Sequence, residues 1–595
     1  MTCFIKYIKT FIFLSTFFLV ILISVSCTNQ NINNTPTNND KFIITTPGNS
    51  GDIVSTSSPF SSLSPTLTQQ PTIIPTPTPT PIITAFATNG TEPEKFGMKT
   101  DITINGNWVN KYTRDEKIFF GNSEEYANVN QGVFAFRSNN YRNTSGVFGM
   151  QNISDVQFDD TPLWTQSTGS LKTTTGEGYW SGCGWTGQPL IEEWPKSTRQ
   201  IMKMYDWAKK QEKLTEVIVA SQDGKIYFYE LETGKATRDP IACNIVFKGG
   251  GSLDPRGIPL MYVGSGDISP YGTYPSAYII SLVTNEIIYE FGRFDNFAYR
   301  GWYAFDSSPL IDAKTDTLIY PGENGVVYFV DLNTDYNEAN GTLSVKPNIV
   351  KWRYSGSRSS FNKYYYGFES SPMAFQNYLY LVDNGGHLIC LDINTLKIIW
   401  VQDVLDDTNC TGVLEVENGI PYIYMSTAYH YGWRESDGIP APVPIFKINA
   451  QTGEIIWRLD YVCRTSSGQS GGTQGSLALG KGSLDNILFV PLAKTPSYNE
   501  GKLVAIDTNT GKEIWSFKLS NYTWSSPSII YDEATGKGYV IIGDVNGNLY
   551  MLDGLTGELK DTIRLNGTIE ASPVIYNNLL ILGTRNCTVY ALKIK

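Results

Sequence analysis

Few residues in this chain are of a type and spacing that could do chemistry. Only two histidines occur in 595 residues. His387 falls inside a hairpin pattern and His430 among aromatics, and two isolated imidazoles make neither a zinc site nor a Ser-His-Asp triad. A carboxylate pair could hydrolyse a glycosidic bond, yet nothing singles out such a pair from the 57 acidic residues. Asp544, Asn546 and Asn548 have the alternation of a calcium loop, but Asn546-Gly547 reads better as a two-residue hairpin turn. No metal ligand set is therefore assigned, and no catalytic residue.

Binding chemistry is better represented. Rings cluster in GYWSGCGWTG (Trp180, Trp185), FDNFAYRGWYAF (Tyr299, Arg300, Trp302) and FNKYYYGFE (Tyr365, Tyr366), and again at Trp433 and Trp524. Rings flanked by hydroxyls and a guanidinium suit a carbohydrate or another planar, amphipathic ligand, because the faces stack while polar neighbours fix orientation. The expectation is a funnel lined by these residues, with Arg300 as its polar partner.

The elements that position them are repeats. Between Gln222 and the end of the chain one phrase recurs: a tight turn, a short alternating strand, then a Thr-Gly turn leading to a large aromatic. KLVAIDTNTGKEIW, from Lys502 to Trp515, is the clearest copy. A β-rich unit repeated every 40 to 60 residues or so marks a propeller. Third strands are expected to end at Glu230, Ser281, Asp331, Asp392, Asn449, Asp507, Asp553 and Lys593, after turns such as Asp223-Gly224, Asn324-Gly325, Asn384-Gly385 and Asn546-Gly547. Gln188-Pro189, Ser308-Pro309, Ser371-Pro372, Ser526-Pro527 and Ser572-Pro573 open innermost strands. The fold class is all-β: an eight-bladed propeller of four-stranded antiparallel blades over 132–595. The last unit lacks an outer strand, and TPLWTQSTG from Thr161, carrying Trp164, is expected to supply it and close the ring. Helical spacing over 197–214 marks an insertion in the first blade.

Ala505, Asp507, Thr510, Gly511 and Trp515 fit the pattern A-x-D-x-x-T-G-x-x-x-W. This resembles the tryptophan-docking motif of the pyrroloquinoline-quinone (PQQ) dehydrogenase-like propellers, with Trp400, Trp457 and Trp164 in the same place in other blades and Tyr289 as a substitute. The resemblance implies structural girdle residues and is nearly silent on function. The family holds quinone-dependent dehydrogenases, which place PQQ over a Trp with Ca²⁺, in many cases under an adjacent-cysteine disulfide, and also cofactor-free lipoproteins that scaffold outer-membrane assembly. This chain has neither a Cys-Cys pair nor a C-x-x-C-H haem signature, so the expected state has no cofactor.

Lys6, Lys9 and an apolar run over 11–25 read as a signal peptide (1–26). Cys27 resembles a lipobox cysteine, although Ser24 stands where that pattern prefers Leu. Residues 27–95, rich in Thr, Pro and Asn, read as a lipidated cysteine and disordered linker, extended at about 3.1 Å per residue in the Pro-Thr tract; 96–131 is an N-terminal extension. The net charge of -11 argues against nucleic acid. In an exported protein, Cys183 with Cys243 and Cys410 with Cys463 are expected as disulfides, while Cys390 and Cys587, within third strands, stay free. The expectation is a monomeric lipoprotein displayed outside the cell, Gram-positive on linker composition and its resemblance, that binds polysaccharide or a protein partner. The alternative is a PQQ- and Ca²⁺-dependent alcohol or sugar dehydrogenase.

Overall fold

In the computed structural model, the described residues are 81–595 without 128–129, 149–152, 154, 185–186, 431–433, 435–440 and 467–468. Cys27, Trp185 and Trp433 lie outside them. The strands form eight antiparallel sheets in a ring, the blades of a β-propeller. Third strands end at all eight expected residues, from Lys225–Glu230 in blade 1 to Thr588–Lys593 in blade 8. The Ser-Pro dipeptides stand immediately ahead of innermost strands such as Leu310–Asp312, Met373–Phe375 and Val574–Tyr576. The helical insertion of blade 1 is two short helices, Lys196–Ile201 and Asp206–Lys210.

Each blade alternates side chains across its two faces, so its buried residues meet those of both neighbours. One apolar cluster joins each successive pair of blades. The cluster that matters for closure sets Ile191, Val217 and Tyr229 of blade 1 against Trp164, Val574, Ile581, Val589 and Ala591 of blade 8, welding the two blades together. The outer strand of blade 8 is Trp164–Ser167, paired antiparallel with Thr588–Ala591 of the third strand, as expected.

The girdle has a uniform geometry. Trp164, Trp400, Trp457 and Trp515 each lie against a glycine of the next blade's turn: Gly234, Gly453, Gly511 and Gly557. The indole N–H donates to the carbonyl three residues before that glycine, at Leu231, Ala450, Thr508 and Gly554 (2.7–3.2 Å). A Cβ on any of these glycines would sit 2.5–2.7 Å from the ring, and each has φ of +66° to +77°, so both contact and backbone demand glycine. Asp507 ties its turn by accepting from the N–H groups of Asn509 and Thr510 (2.9 and 2.8 Å).

The segment before blade 1 is part of the body. Residues 81–91 lie on the turns of blades 4 and 5: Gln376 accepts from Ile83 N–H and donates to Pro81 O (both 2.9 Å), and Phe86 N–H reaches Gln451 O. Residues 81–91, expected within the linker, therefore belong to the body. Lys99–Ile104 and Asn107–Val109 form a hairpin that extends blade 3 beyond its outer strand, Asn348–Ser355. Residues 132–147 then enter the central channel. Val133 pairs with Ile191 of blade 1 and Ala135 bridges Ser252 of blade 2. Asn140 O and Tyr141 O accept from Ala374 of blade 4 and Leu414 of blade 5, and Val147 pairs with Ile575 of blade 8. Arg142, fully buried, donates to Pro372 O, Phe136 O and Ser308 O (3.0, 2.9 and 2.8 Å). This plug replaces the open channel that a bare ring would have.

The cysteines differ from expectation. All six among the described residues are free thiols, so neither Cys183–Cys243 nor Cys410–Cys463 is formed. Cys410 turns its thiol into its own blade, toward Ser426 O, while Cys463 packs with Tyr429 and Val443. Cys183 lies against Gly583 of blade 8, whereas Cys243 is in the cluster between blades 1 and 2. Cys587 stands one residue before its third strand and is half-buried.

Candidate functional site

In an up-and-down blade, the connections into innermost strands and the turns between second and third strands share one face, here the upper. Turns between first and second and between third and outer strands share the lower. Pro81 beside Gln376 is therefore on the lower face, and the expected funnel residues that are described are on the upper.

Inside the upper rim, hydroxyls link the blades. Ser308 N–H donates to Ser371 Oγ, Ser371 N–H to Thr411 Oγ1, Thr411 N–H to Ser476 Oγ and Ser476 N–H to Ser526 Oγ (2.8–3.0 Å). Ser572 Oγ continues to Ser526 Oγ at 2.8 Å. Each hydroxyl thus satisfies an N–H two residues ahead of the neighbouring blade's innermost strand.

Above this necklace is a charged well. Lys248 Nζ stands 3.6 Å from Asp306. Arg300 donates to Glu323 O at 3.1 Å, lies 3.8 Å from the Glu323 carboxylate and covers the ring of Tyr364 at 4.6 Å. Tyr364 donates to Asp407 at 2.8 Å and stacks on His430, whose Nδ1 is 3.1 Å from the same carboxylate. Asn384 donates to Glu369 at 2.7 Å, and Asn409 to Gln474 at 2.8 Å. Farther out, Arg434 pairs with Asp406 and Arg585 with Glu570. Phe136 of the plug, with Gly187, Gly249 and Gly250, floors the crevice between Asp306 and Glu369.

Burial dominates the electrostatics. It pushes the Glu369 carboxyl up to about 7, reinforced by Asp407 and opposed by Arg300. Burial likewise raises Asp306, and holds Glu323 well above the ordinary carboxylate range with help from Glu369 and Asp306. Asp406 rises to about 6 despite Arg434. Three adjoining acids that resist ionisation are a mark of a site that meets a ligand as well as of a structural network.

The expected funnel residues divide. Arg300 lines the well, and Trp180 stands at its rim with Lys248 and Arg585 over its ring (5.2 and 5.7 Å). Trp302 and Tyr365 are half-buried in the connections into blades 3 and 4. Tyr299, Tyr366 and Trp524 serve packing: Tyr299 stacks on Tyr366 beneath Arg353, Tyr366 is buried between blades 3 and 4, and Trp524 is 8% exposed. Sequence reasoning passed over Lys248, Glu323, Glu369 and Asp407. One signal was present: an acid two residues before Ser-Pro in Asp306-Ser-Ser-Pro, Glu369-Ser-Ser-Pro and Glu570-Ala-Ser-Pro.

Comparison with known proteins bears on the blades. Residues 350–523 and 499–595 match the family model of the outer membrane protein assembly factor BamB. The beta-alanine-activating enzyme of Danio rerio is 29% identical over 97 residues, 16% of this chain and 8% of that protein. The outer membrane protein assembly factor BamB of Kangiella koreensis is 30% identical over 99 residues, 16% of this chain and 23% of that protein. The chain thus spans less than a quarter of either relative. The crystal structure of the quinohemoprotein alcohol dehydrogenase of Comamonas testosteroni superposes with a TM-score of 0.52 at 12% identity, over 79% of this chain and 82% of that one, and shows a shared fold.

Proposed function

We propose, from the premise that these blades are PQQ-like propeller repeats, that the chain is an exported, non-catalytic scaffold that receives a protein partner on its upper face. One observation carries this reading: Pro81, where the described residues begin, lies on the lower face beside Gln376, while the charged well opens on the upper. A lipid on Cys27 and a tether over 28–80 would then present the well away from a membrane, outside the cell; the Gram-positive placement rests on linker composition and its resemblance. The similarity to an assembly factor supports a protein partner. So does the well, whose lining is charged where a sugar platform needs free ring faces. Polysaccharide is the second reading, favoured by exposed rings at the rim, Tyr179, Tyr271, Phe294 and Phe361.

The quinoprotein alternative fits the residues poorly. The crevice lined by Phe136, Gly187, Gly250, Asp306 and Glu369 has a volume of about 10 Å³, room for roughly one water and not for a tricyclic quinone. No adjacent cysteines exist to cover it.

Photocrosslinking residues test the scaffold reading. Phe361 and Tyr271 on the upper face (88% and 73% exposed) are expected to trap the same envelope protein, and Leu555 on the lower face none. Trapping from Leu555 alone, or from no position, refutes it. Saturable, Ca²⁺-dependent quenching of tryptophan fluorescence by micromolar PQQ would restore the enzyme.

A further inference from the structure

We propose that a groove in the side wall, between blade 2 and the hairpin that extends blade 3, binds a neutral polysaccharide chain. The inference goes beyond the scaffold reading and does not depend on it, and it puts the sugar on the flank, apart from the charged well. The groove has a volume of about 500 Å³, within the range of about 300–1,000 Å³ usual for small-ligand sites. It climbs from the lower turn at Gly106, beside Ile349, past Trp108 and the Asp295–Lys351 pair to Phe294 at the upper rim.

The groove exists because the girdle is interrupted at this seam. Tyr289 pairs with Ile279 as Trp515 pairs with Ala505, each beside the same shift in register, so Tyr289 holds the place of a docking indole. The turn it should meet carries no glycine. Gly511 and Gly557 stand four residues after Asp507 and Asp553, whereas Asp335 stands four after Asp331 and opens an inserted hairpin, Asp335–Asn337 with Thr342–Ser344. Tyr289 therefore stays half-buried on the groove wall, where other seams have an indole sealed on a glycine.

Two rings on the walls stand in solvent. Trp108 is 62% exposed, with Phe297 in a T-shaped contact at 5.2 Å and the Arg353 guanidinium at 5.1 Å. Phe294 is 55% exposed, propped by Tyr274 and Tyr303 at 4.8 and 5.4 Å. Tryptophan is seldom so open. Phe294 holds its ring there at a φ of +51°, a left-handed backbone that is strained for a bulky residue and that clusters at ligand sites.

The polar groups select the occupant. Three charged side chains line the groove, Arg293, Asp295 and Lys351, and each is paired: Lys351 with Asp295 at 2.7 Å, and Arg293 with Glu290 at 2.8 Å. Arg353, against the rings, is paired with Asp101 at 2.9 Å. The lining thus presents hydrogen-bonding groups of both kinds without a surplus of either charge. A ligand with apolar faces, hydroxyls at their edges and no net charge meets these conditions, and a sugar with equatorial hydroxyls has that form. A concave groove also favours a slender chain over the broad contact of a protein, which buries about 800 Å² on each side.

Isothermal calorimetry of the full chain with cellohexaose, mannohexaose and xylohexaose tests this, with hexagalacturonate as the anionic control. At least one neutral hexasaccharide is expected to bind with a Kd below about 1 mM, and hexagalacturonate more weakly. Trp108→Ala is expected to weaken that binding by about tenfold or more, the loss of one stacked ring, and Trp108→Tyr to keep most of it. Phe294→Gly should weaken it as well without lowering the melting temperature, because glycine relaxes the left-handed backbone. No binding of any neutral hexasaccharide at millimolar concentration, equal binding by the Trp108→Ala chain, or tighter binding of the anionic one overturns the proposal. So does a photocrosslinking residue at Trp108 that traps a protein and is not displaced by the sugars. The Phe361 and Tyr271 crosslinks, which test the scaffold reading on the upper face, are independent of all these results.

Discussion

Arg137 and Arg142 make a paired experiment on the plug. Both are fully buried, and burial lowers both guanidiniums, to about 9 and about 10. Replacing either with Met therefore releases a similar desolvation cost, which cancels in the comparison. What differs is the number of carbonyls left behind. Arg142 serves three at 3.0 Å or less, whereas Arg137 serves one, Pro527 O at 2.9 Å, and leaves Nε and Nη2 unpartnered. Two extra orphaned carbonyls at about 1–3 kcal/mol each make Arg142→Met less stable than Arg137→Met by about 2–6 kcal/mol. With about 2.1 cal/mol/K per residue over 81–595, the unfolding entropy is about 1.1 kcal/mol/K, so the two melting temperatures should differ by about 2–5 °C. Differential scanning calorimetry reads this directly. Equal melting temperatures, or a lower one for Arg137→Met, would show that the carbonyl cage does not hold the plug.

The girdle, the well and the thiols supply further tests. Gly511→Ala forces a Cβ to within 2.7 Å of Trp457 at φ +67°, and should cost about 1–3 kcal/mol, seen as a lower melting temperature with altered indole fluorescence. Glu369 is raised in the folded state, so its contribution is fully present below its unfolded value near 4.5 and lost as pH climbs through about 7. Melting temperature should fall between pH 5 and pH 8 by the equivalent of about 3 kcal/mol, and Glu369→Gln should flatten that slope. If the slope is unchanged, Glu369 does not carry it. The six thiols are free, so denaturation without reductant should expose six alkylatable cysteines in 81–595, and a peptide linking Cys183 to Cys243 would contradict the structure. Before denaturation, Cys390, Cys410 and Cys463 should resist alkylation, because burial raises all three thiols.

The blades were legible because each repeats local chemistry. The Asp and Thr-Gly turn with a following Trp is a contact between neighbours, and strand alternation fixes where third strands end, so all eight ends and the closing strand at Trp164 could be read from spacing. The plug was not. Residues 132–147 have no period, and most of their hydrogen bonds reach blades distant in sequence, such as Arg137 to Pro527 O and Arg142 to Pro372 O and Ser308 O, which leaves no mark at Arg137 or Arg142 beyond their charge. The well was half legible: Arg300 stands among rings, while Glu369 and Asp407 come from separate connections that only the ring brings together. The rings themselves misled in part, because stacking that suits a ligand equally suits Tyr299 against Tyr366 inside the body.

Ring closure also sets when this protein can fold. The ladder between Trp164–Ser167 and Thr588–Ala591 joins residues more than 400 apart, and the plug draws partners from blades 1 through 5 and from 7 and 8. Single blades can form as their hairpins emerge, but blade 8 has no outer strand in its own stretch of sequence. Contacts of such long sequence separation form late and slowly. The body therefore acquires its native ring only after residues 588–593 have been made. Until then the chain exposes unpaired strand edges, the state in which a holding chaperone would meet it and in which aggregation competes with closure.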